Sequence, residues 1–266
     1  MKANSTKEKI IVLTGTSSGL GKYIYSRHPE GYVVKTESSE RDIQNIQDHK
    51  IDVLIHCAFD ASIFVSNYEK YLQTNVLYTS KLIDQLQPKK VIYISSVNVY
   101  LENDTNYKLS KLLSENIIKD KVDNHLILRC SAITGPTMRE ESVGSIVPIF
   151  KDKNPNVRLS NKSLFNYILQ EDICDFIDMS VIEKITGTFN FVSSTCIELE
   201  EICRRYDKKA TFGEFVYTTP IVDNKKIKKI FPQADRTSEE VLDINYMRIN
   251  NVIEVQKPGR EKVILY

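Results

Sequence analysis

The sequence predicts an α/β fold built on a doubly wound, mostly parallel sheet. Three features of the chain predict it. Short apolar runs rich in Val, Ile and Phe alternate with longer stretches of helical periodicity. A glycine-rich turn follows the first run and opens a helix. The 266 residues give room for one large domain, or a core domain with a small appendage.

The elements follow in order. Strands are predicted at "KIIVLTG" (9–15), "YVV" (32–34), "IDVLIHCA" (51–58), "KVIYISS" (90–96), "HLILRCSA" (125–132) and "GTFNFV" (187–192). Helices are predicted near 19–27, 65–86, 106–120, 171–179 and 196–206. Strands alternating with helices imply βαβ units whose sheet is covered on both faces. On the helix that opens "NYKLSKLLSE", Leu109, Leu112 and Leu113 are expected on a buried face, packed on the sheet or equally in a contact between two copies of the chain. The stretch 135–165 is broken by Gly, Pro and Asn and reads as a departure into a small lobe over the substrate. The lysines of "NKKIKKIFPQ" (224–233) read as the solvated face of a short helix whose buried side carries Ile227 and Ile230.

Composition narrows the function classes. A net charge of +1, with 41% hydrophobic and 27% charged residues, gives no reason to expect a nucleic-acid or membrane-surface partner. The polar "MKANSTKEK" leads into an apolar run too short for a signal peptide or membrane span. Cysteines 57, 130, 174, 196 and 203 lack paired metal spacing and read as reduced thiols of a cytoplasmic protein. Histidines 28, 49, 56 and 125 show no clustering, so no zinc site is expected.

The turn "VLTGTSSGLGKYI" carries the first chemistry. Gly15 permits the tight exit from the strand, Gly19 lets a pyrophosphate approach the backbone, and Gly21 allows close helix–sheet packing. Gly15, Thr16, Ser17, Ser18, Gly19, Leu20 and Gly21 would then surround the phosphates, which the N–H groups and positive dipole end of the helix favour. The fold class becomes a Rossmann-like doubly wound sheet with a small C-terminal substrate-binding lobe. The dinucleotide-binding part covers 1–135 with segments near 166–193, and the lobe covers 136–165 and 194–266. For the second nucleotide hydroxyl, Glu37 would favour NAD, whereas Lys35 with Ser38 and Arg41 would hold a 2′-phosphate. Lys35 stands where the strand should end, which tips the balance towards NADP(H). Asp42 is placed either to accept a hydrogen bond from adenine or to cap a helix over 43–49.

Tyr107 and Lys111 lie four apart on one helix face, where an ammonium could lower the phenol's pKa from about 10. They follow "YISSVNVY", which delivers hydroxyls to the carboxyl edge of the sheet, where such folds bind ligands. With "TGTSSGLG", "DVLIHCA", "TNVLYTSKLID", "YISSVNVY", "YKLSK", "LRCSAITGP" and "LQEDICDFI" in this order, the chain resembles the short-chain dehydrogenase/reductase superfamily. More narrowly it resembles the extended branch, the NAD-dependent epimerase/dehydratase family, although glycines at 15, 19 and 21 have the spacing of the single-domain branch.

The resemblance implies Tyr107 as proton donor and acceptor, Ser96 as the hydroxyl on the same substrate oxygen, and Lys111 as the cation beside Tyr107 and the cofactor ribose. It places Cys57, Ala58 and Asn75 along the cofactor, and Ser96, Asn98 and Tyr107 along the substrate. The family's phosphate-clamping arginine falls at about Phe165, so Arg158 or Lys162 would have to replace it. The acid and base that sugar dehydratases carry after the hydroxyl are here Val97 and Asn98, which disfavours dehydration. What remains is a ketoreductase of a nucleotide-activated deoxysugar, preferred for the compact chain. The alternatives are a 4-epimerase retaining NAD and a silent dinucleotide-binding sensor. The resemblance also implies a homodimer through the helices at 65–86 and 106–120.

Overall fold

A computed structural model describes residues 9–28, the backbone of 33–36, and residues 50–59, 68–140 and 142–250. β1 (Ile11–Thr14) leads through the glycine-rich turn into α1 (Gly19–Arg27), followed by β2 (Val33–Thr36) and β3 (Val53–His56). A helical run comprises α2 (Tyr68–Tyr71), a π-helical segment (Leu72–Leu77) and α3 (Tyr78–Leu86). β4 (Lys90–Ser96), a 3₁₀ turn (Val97–Tyr100), α4 (Asn106–Lys121) and β5 (His125–Cys130) complete the first half.

The second half is less regular. It holds β6 (Ala132–Thr134), α5 (Val147–Lys151), β7 (Asn156–Leu159), β8 (Leu164–Phe165), β9 (Tyr167–Leu169), α6 (Gln170–Ile182) and β10 (Gly187–Phe191). β11 (Ile197–Glu198), α7 (Leu199–Arg205), β12 (Thr211–Phe215), α8 (Lys225–Lys228) and α9 (Ser238–Ile249) follow.

The main sheet has the order β10-β5-β4-β3-β1-β2, every pairing parallel. The chain steps from β1 to β2 on one side and returns to β3 on the other. That reversal opens a crevice at the carboxyl ends of β1 and β3. The strands are apolar on both faces because helices cover both. Within β4, Ile92 and Ile94 join Leu13, Val53 and Leu128 on one face, while Val91 and Tyr93 join Val12, Leu54 and Ile127 on the other. A third apolar cluster, including Phe150, Phe165, Ile202 and Leu242, lies apart from the sheet. β9 divides between them: Tyr167 and Leu169 join this cluster, and Ile168 joins the sheet face of α6. No helix among the described residues is long and apolar enough to cross a membrane.

Two expectations about apolar faces are corrected. Ile227 is fully buried, but α8 ends at Lys228 and Ile230 emerges exposed. On α4, Leu109 and Leu113 are exposed and Leu112 is half-buried, while Ser110, Lys111, Ser114, Glu115 and Ile118 face inward. The helix is seated by polar groups, and each has an answering partner, as burial demands. The Ser114 hydroxyl donates to the Asn75 carbonyl (2.9 Å), and the Lys111 ammonium to the Ile94 carbonyl (2.8 Å). Arg129 on β5 donates to Glu115 through Nε (2.9 Å) and Nη2 (2.6 Å), and Ser95 donates to the same carboxylate (2.6 Å).

The helix predicted over 65–86 is interrupted, so far as its described residues show. Thr79 Oγ1 (2.5 Å) and Ser114 Oγ both donate to the Asn75 carbonyl, and the backbone around Asn75 winds into the wider π form. Such single π segments recur at functional sites.

Burial alone would raise the Glu115 pKa, but hydrogen bonds from Arg129 and Ser95 outweigh it and hold it below the usual carboxylate range. Removing this carboxylate leaves a mostly buried guanidinium without its counter-charge. Glu115→Ala is therefore expected to lower the unfolding free energy by about 3–5 kcal/mol, measured by urea denaturation. A loss of less than about 1 kcal/mol, the range of exposed ion pairs, would show the pair to be dispensable.

Candidate functional site

The site is built where β1, β3 and β4 end. Gly15 leaves β1 with φ 76°, and a side chain there would meet the Ala58 backbone nitrogen at 2.7 Å. A Cβ on Gly21 would lie 2.3 Å from the Gly15 carbonyl oxygen. The turn therefore tolerates no side chain at either position and keeps backbone against backbone. Ser18, the N-cap of α1, makes no side-chain cap bond, and the buried Thr16 hydroxyl has no partner among the described residues. An orphaned hydroxyl and a stripped turn at a helix N-terminus fit a phosphate-bearing dinucleotide. The residues present thus suit a nicotinamide dinucleotide, with Gly15 to Gly21 positioned for its phosphates.

Behind the turn runs a buried chain of hydrogen bonds. Ala58 N donates to Thr14 Oγ1 (3.2 Å), which lies 2.7 Å from His56 Nδ1, and His56 Nε2 lies 2.9 Å from Thr79 Oγ1. Thr79 spends its proton on the Asn75 carbonyl, so it must accept from His56. Donor counting therefore assigns the neutral Nε2–H tautomer, with Thr14 donating to Nδ1. Burial, aided by the charge of Lys111, pushes the His56 pKa down to about 3. Cys57 and Ala58, predicted along the cofactor, sit at the end of this chain. Asn75 lies beneath α4, its amide donating to Ser110 Oγ (3.1 Å).

Ser96, Tyr107 and Lys111 come together at the end of β4 and the first turns of α4. Ser96 Oγ accepts from Asn98 N (3.2 Å) and lies close enough to the Tyr107 hydroxyl to influence its titration. Its neighbour Ser95 points to the other face and is committed to Glu115. Lys111 is fully buried, its Nζ 5.8 Å from the centre of the Tyr107 ring. Burial lowers the Lys111 pKa to about 7, against the opposing pull of the Glu115 carboxylate. Burial also raises the Tyr107 pKa, with Ser96 pulling down. The depression of Tyr107 expected from Lys111 is absent in the chain by itself, where burial dominates the phenol.

Three aromatic residues that sequence reasoning missed complete the surroundings. Phe59 covers the Lys111 ammonium, its ring centre 3.7 Å from Nζ, and packs 6.1 Å from the Tyr107 ring. Tyr71 meets Tyr107 edge-on at 6.4 Å. Tyr217 stacks on Phe165 and donates to Asn98 Oδ1 (3.0 Å), reaching the site from the irregular last third of the chain. Only Phe59 carried a sequence signal, by following the "HCA" element directly.

The other predicted residues are placed less directly. Arg158 is exposed on β7 and its side chain has no partner among the described residues; Lys162 is also exposed. Lys35 is the penultimate residue of β2, in register with Leu13, and its side chain lies outside the described residues. Glu37, Ser38, Arg41 and Asp42, and the helix over 43–49, lie outside them altogether. Among the described residues, a histidine and a cysteine do meet once, at the far end of α1. His28 Nε2 pairs with Asp178 Oδ1 at 2.8 Å, and the Cys174 thiol lies within 4.8 Å of both. The Arg27 guanidinium, 3.9 Å from Asp178, already supplies a cation there.

A parallel doubly wound sheet with a glycine-rich turn at its switch point, and a serine, a tyrosine and a lysine gathered beside it, defines a class, the dinucleotide-dependent α/β oxidoreductases. The chain belongs to the NAD dependent epimerase/dehydratase family, whose model matches residues 11–180. No curated protein matches it significantly by sequence. Among solved structures, it is similar to UDP-glucuronic acid 4-epimerase from Bacillus cereus in complex with UDP-glucuronic acid and NAD. That likeness has a TM-score of 0.72 and 17% identity over 91% of this chain and 99% of the other. It is likewise similar to dTDP-4-dehydrorhamnose reductase from Bacillus anthracis in complex with NADP, with TM-score 0.73 and 15% identity over 91% and 99%. A third is UDP-glucose 4-epimerase from Thermotoga maritima with UDP-glucose, with TM-score 0.74 and 16% identity over 92% and 99%. At these identities the likeness is one of fold.

His56 generates a pH prediction. Its folded pKa lies below its unfolded value of about 6.5, so between the two the unfolded chain binds the extra proton. The histidine's contribution is complete above about pH 6.5 and is lost as pH falls towards about 3, by up to about 1.4 kcal/mol per pH unit. In His56→Gln this component should vanish, giving a flatter decline in unfolding free energy over that range. Parallel pH profiles for the two proteins would refute a neutral, buried His56.

Proposed function

We propose that this protein is an NAD(P)-dependent oxidoreductase that reduces a keto group of a nucleotide-activated deoxysugar. The observation that carries the reading is the convergence of Ser96, Tyr107 and Lys111 beside the glycine-rich turn at the carboxyl edge of one parallel sheet. A bound nicotinamide supplies the hydride. Tyr107 delivers the proton to the substrate oxygen, and Ser96 hydrogen-bonds that oxygen as negative charge develops on it. Lys111, beside Tyr107, holds the ribose and in its charged form favours the phenolate.

The residues after Ser96 support reduction over dehydration. Elimination of water needs an acid and a base there, and the chain offers Val97, which is buried, and Asn98, which is held by Tyr217. Asn98 is then a substrate contact. For the nucleotide's phosphates the reading takes Arg158: β7 pairs with β12, the strand that leads to Tyr217, with Leu159 opposite Phe215. NADPH is taken as reductant on the strength of Lys35 near the end of β2. The exposed leucines 77, 109 and 113 of the π segment and α4 form the contact with a second copy of the chain.

The deciding experiment is a screen of nucleotide-linked keto sugars with NADPH and NADH, following the absorbance of the reduced cofactor. Stoichiometric oxidation of NADPH is expected. Tightly bound cofactor with no net consumption would instead reveal the epimerase, and neither outcome on any substrate would favour the sensor. Tyr107→Phe should cut turnover by roughly 10²–10⁴-fold with dinucleotide affinity preserved; near-full activity would remove Tyr107 from the mechanism. In analytical ultracentrifugation the wild type should sediment as a dimer and Leu109→Asp/Leu113→Asp as a monomer. A wild-type monomer at micromolar concentration would dismiss the contact.

A further inference from the structure

The loop that leaves β6 does not move away from the dinucleotide turn; it folds back onto it. Gly19 N donates to the Thr137 carbonyl (2.9 Å), and Thr137 Oγ1 donates to the Gly19 carbonyl (2.7 Å). Thr137 is held equally firmly from behind. Gln170, fully buried at the start of α6, accepts from Thr137 N (3.1 Å) and donates to Thr137 Oγ1 (2.7 Å). Gly135 is what lets the chain pass, since a Cβ there would lie 2.2 Å from Gln170 Oε1. Two residues beyond Thr137, Arg139 Nε donates to Ser18 Oγ (2.9 Å). Arg139 is exposed, and its two terminal guanidinium nitrogens have no partner among the described residues.

This arrangement alters the charge balance of the turn. Residues 15–21 contain no ionisable side chain, so the positive potential there comes from backbone N–H groups and the α1 dipole. The Thr137 carbonyl takes one of those N–H groups out of use. The same loop brings the Arg139 guanidinium, a planar fork suited to two phosphate oxygens, while the adjacent Glu140 is paired with Lys151. Ser18 fixes the fork by one corner and leaves the others directed to solvent at the turn.

We infer that Arg139 is a pyrophosphate-binding residue, brought to the dinucleotide turn by a loop that Thr137 and Gln170 anchor. The inference rests on the reading of the turn as a dinucleotide site. Arg139 lies outside the turn in sequence and acts as a binding residue, remote from the reacting atoms.

NADPH binding to the full chain, followed by calorimetry at low salt, tests it. Charge-assisted hydrogen bonds set the scale: Arg139→Ala and Arg139→Gln should each weaken NADPH by about 10- to 100-fold, while Arg139→Lys should lose clearly less. The gap between wild type and Arg139→Gln should narrow as salt rises, as it does for an exposed charge acting on phosphate. Thermal melting of all three variants should match the wild type. If wild type binds NADPH and Arg139→Gln binds it within about twofold at low salt, Arg139 is not the ligand and the inference alone is overturned. If wild type binds neither NADPH nor NADH, the reading of the turn falls, and the inference with it.

Discussion

The site depends on one buried line of hydrogen bonds running from Ala58 through Thr14, His56 and Thr79 to the Asn75 carbonyl. It crosses from β1 to β3 and on into the helical run that carries Asn75. Every proton along it has one direction once His56 is neutral, so no member can be turned without leaving a buried group unpaired. Thr14 is the last residue before Gly15, and Asn75 donates to Ser110 on α4. The line therefore couples the backbone of the dinucleotide turn to the helix that carries Tyr107 and Lys111. The π segment follows from the same constraint: a carbonyl claimed by two hydroxyls is poorly placed to serve the regular helical ladder.

Much of this architecture was legible in the sequence. The six main strands, α1, α4 and the glycine turn fall where their patterns put them, because strands buried on both faces are apolar throughout and glycines mark backbone contacts that no other residue can make. The trio of Ser96, Tyr107 and Lys111 was legible because spacing on one strand and one helix translates directly into position. The inward face of α4 was not. Its hydrophobic pattern points to Leu109 and Leu113, yet the helix buries two serines, a lysine and a glutamate. Apolar periodicity predicts burial only where the core is apolar, and here the neighbouring surfaces are the Asn75 carbonyl, the Ile94 carbonyl and Arg129. Ser95, Glu115 and Arg129 lie far apart in the chain, and nothing local marks them as one cluster.

The contributions from the irregular second half were illegible for a different reason. Tyr217 reaches Asn98, and Thr137 reaches Gly19, through contacts 119 and 118 residues apart. Neither depends on a repeating pattern; each depends on how the third apolar cluster sits against the sheet. Gly135 looked like one more break in a loop, and only the buried Gln170 behind it gives the glycine its meaning. Ile230 failed in the opposite sense, since α8 stops one turn too early to carry it inward.

Burial sets the protonation of Tyr107 and Lys111 in the isolated chain and drives both side chains towards their neutral forms. It raises the Tyr107 pKa and lowers that of Lys111 to about 7, and Cys57 and Cys130, both pushed up to about 12 by burial, remain uncharged thiols. Phe59 accounts for how a buried ammonium is tolerated at all: its ring face lies 3.7 Å from Nζ, and with the Ile94 carbonyl it replaces part of the lost hydration. That cover is weakly polar compared with hydroxyl groups. A ligand that put hydroxyls in its place would favour the ammonium and raise the Lys111 pKa, and the restored positive charge would draw the Tyr107 pKa down.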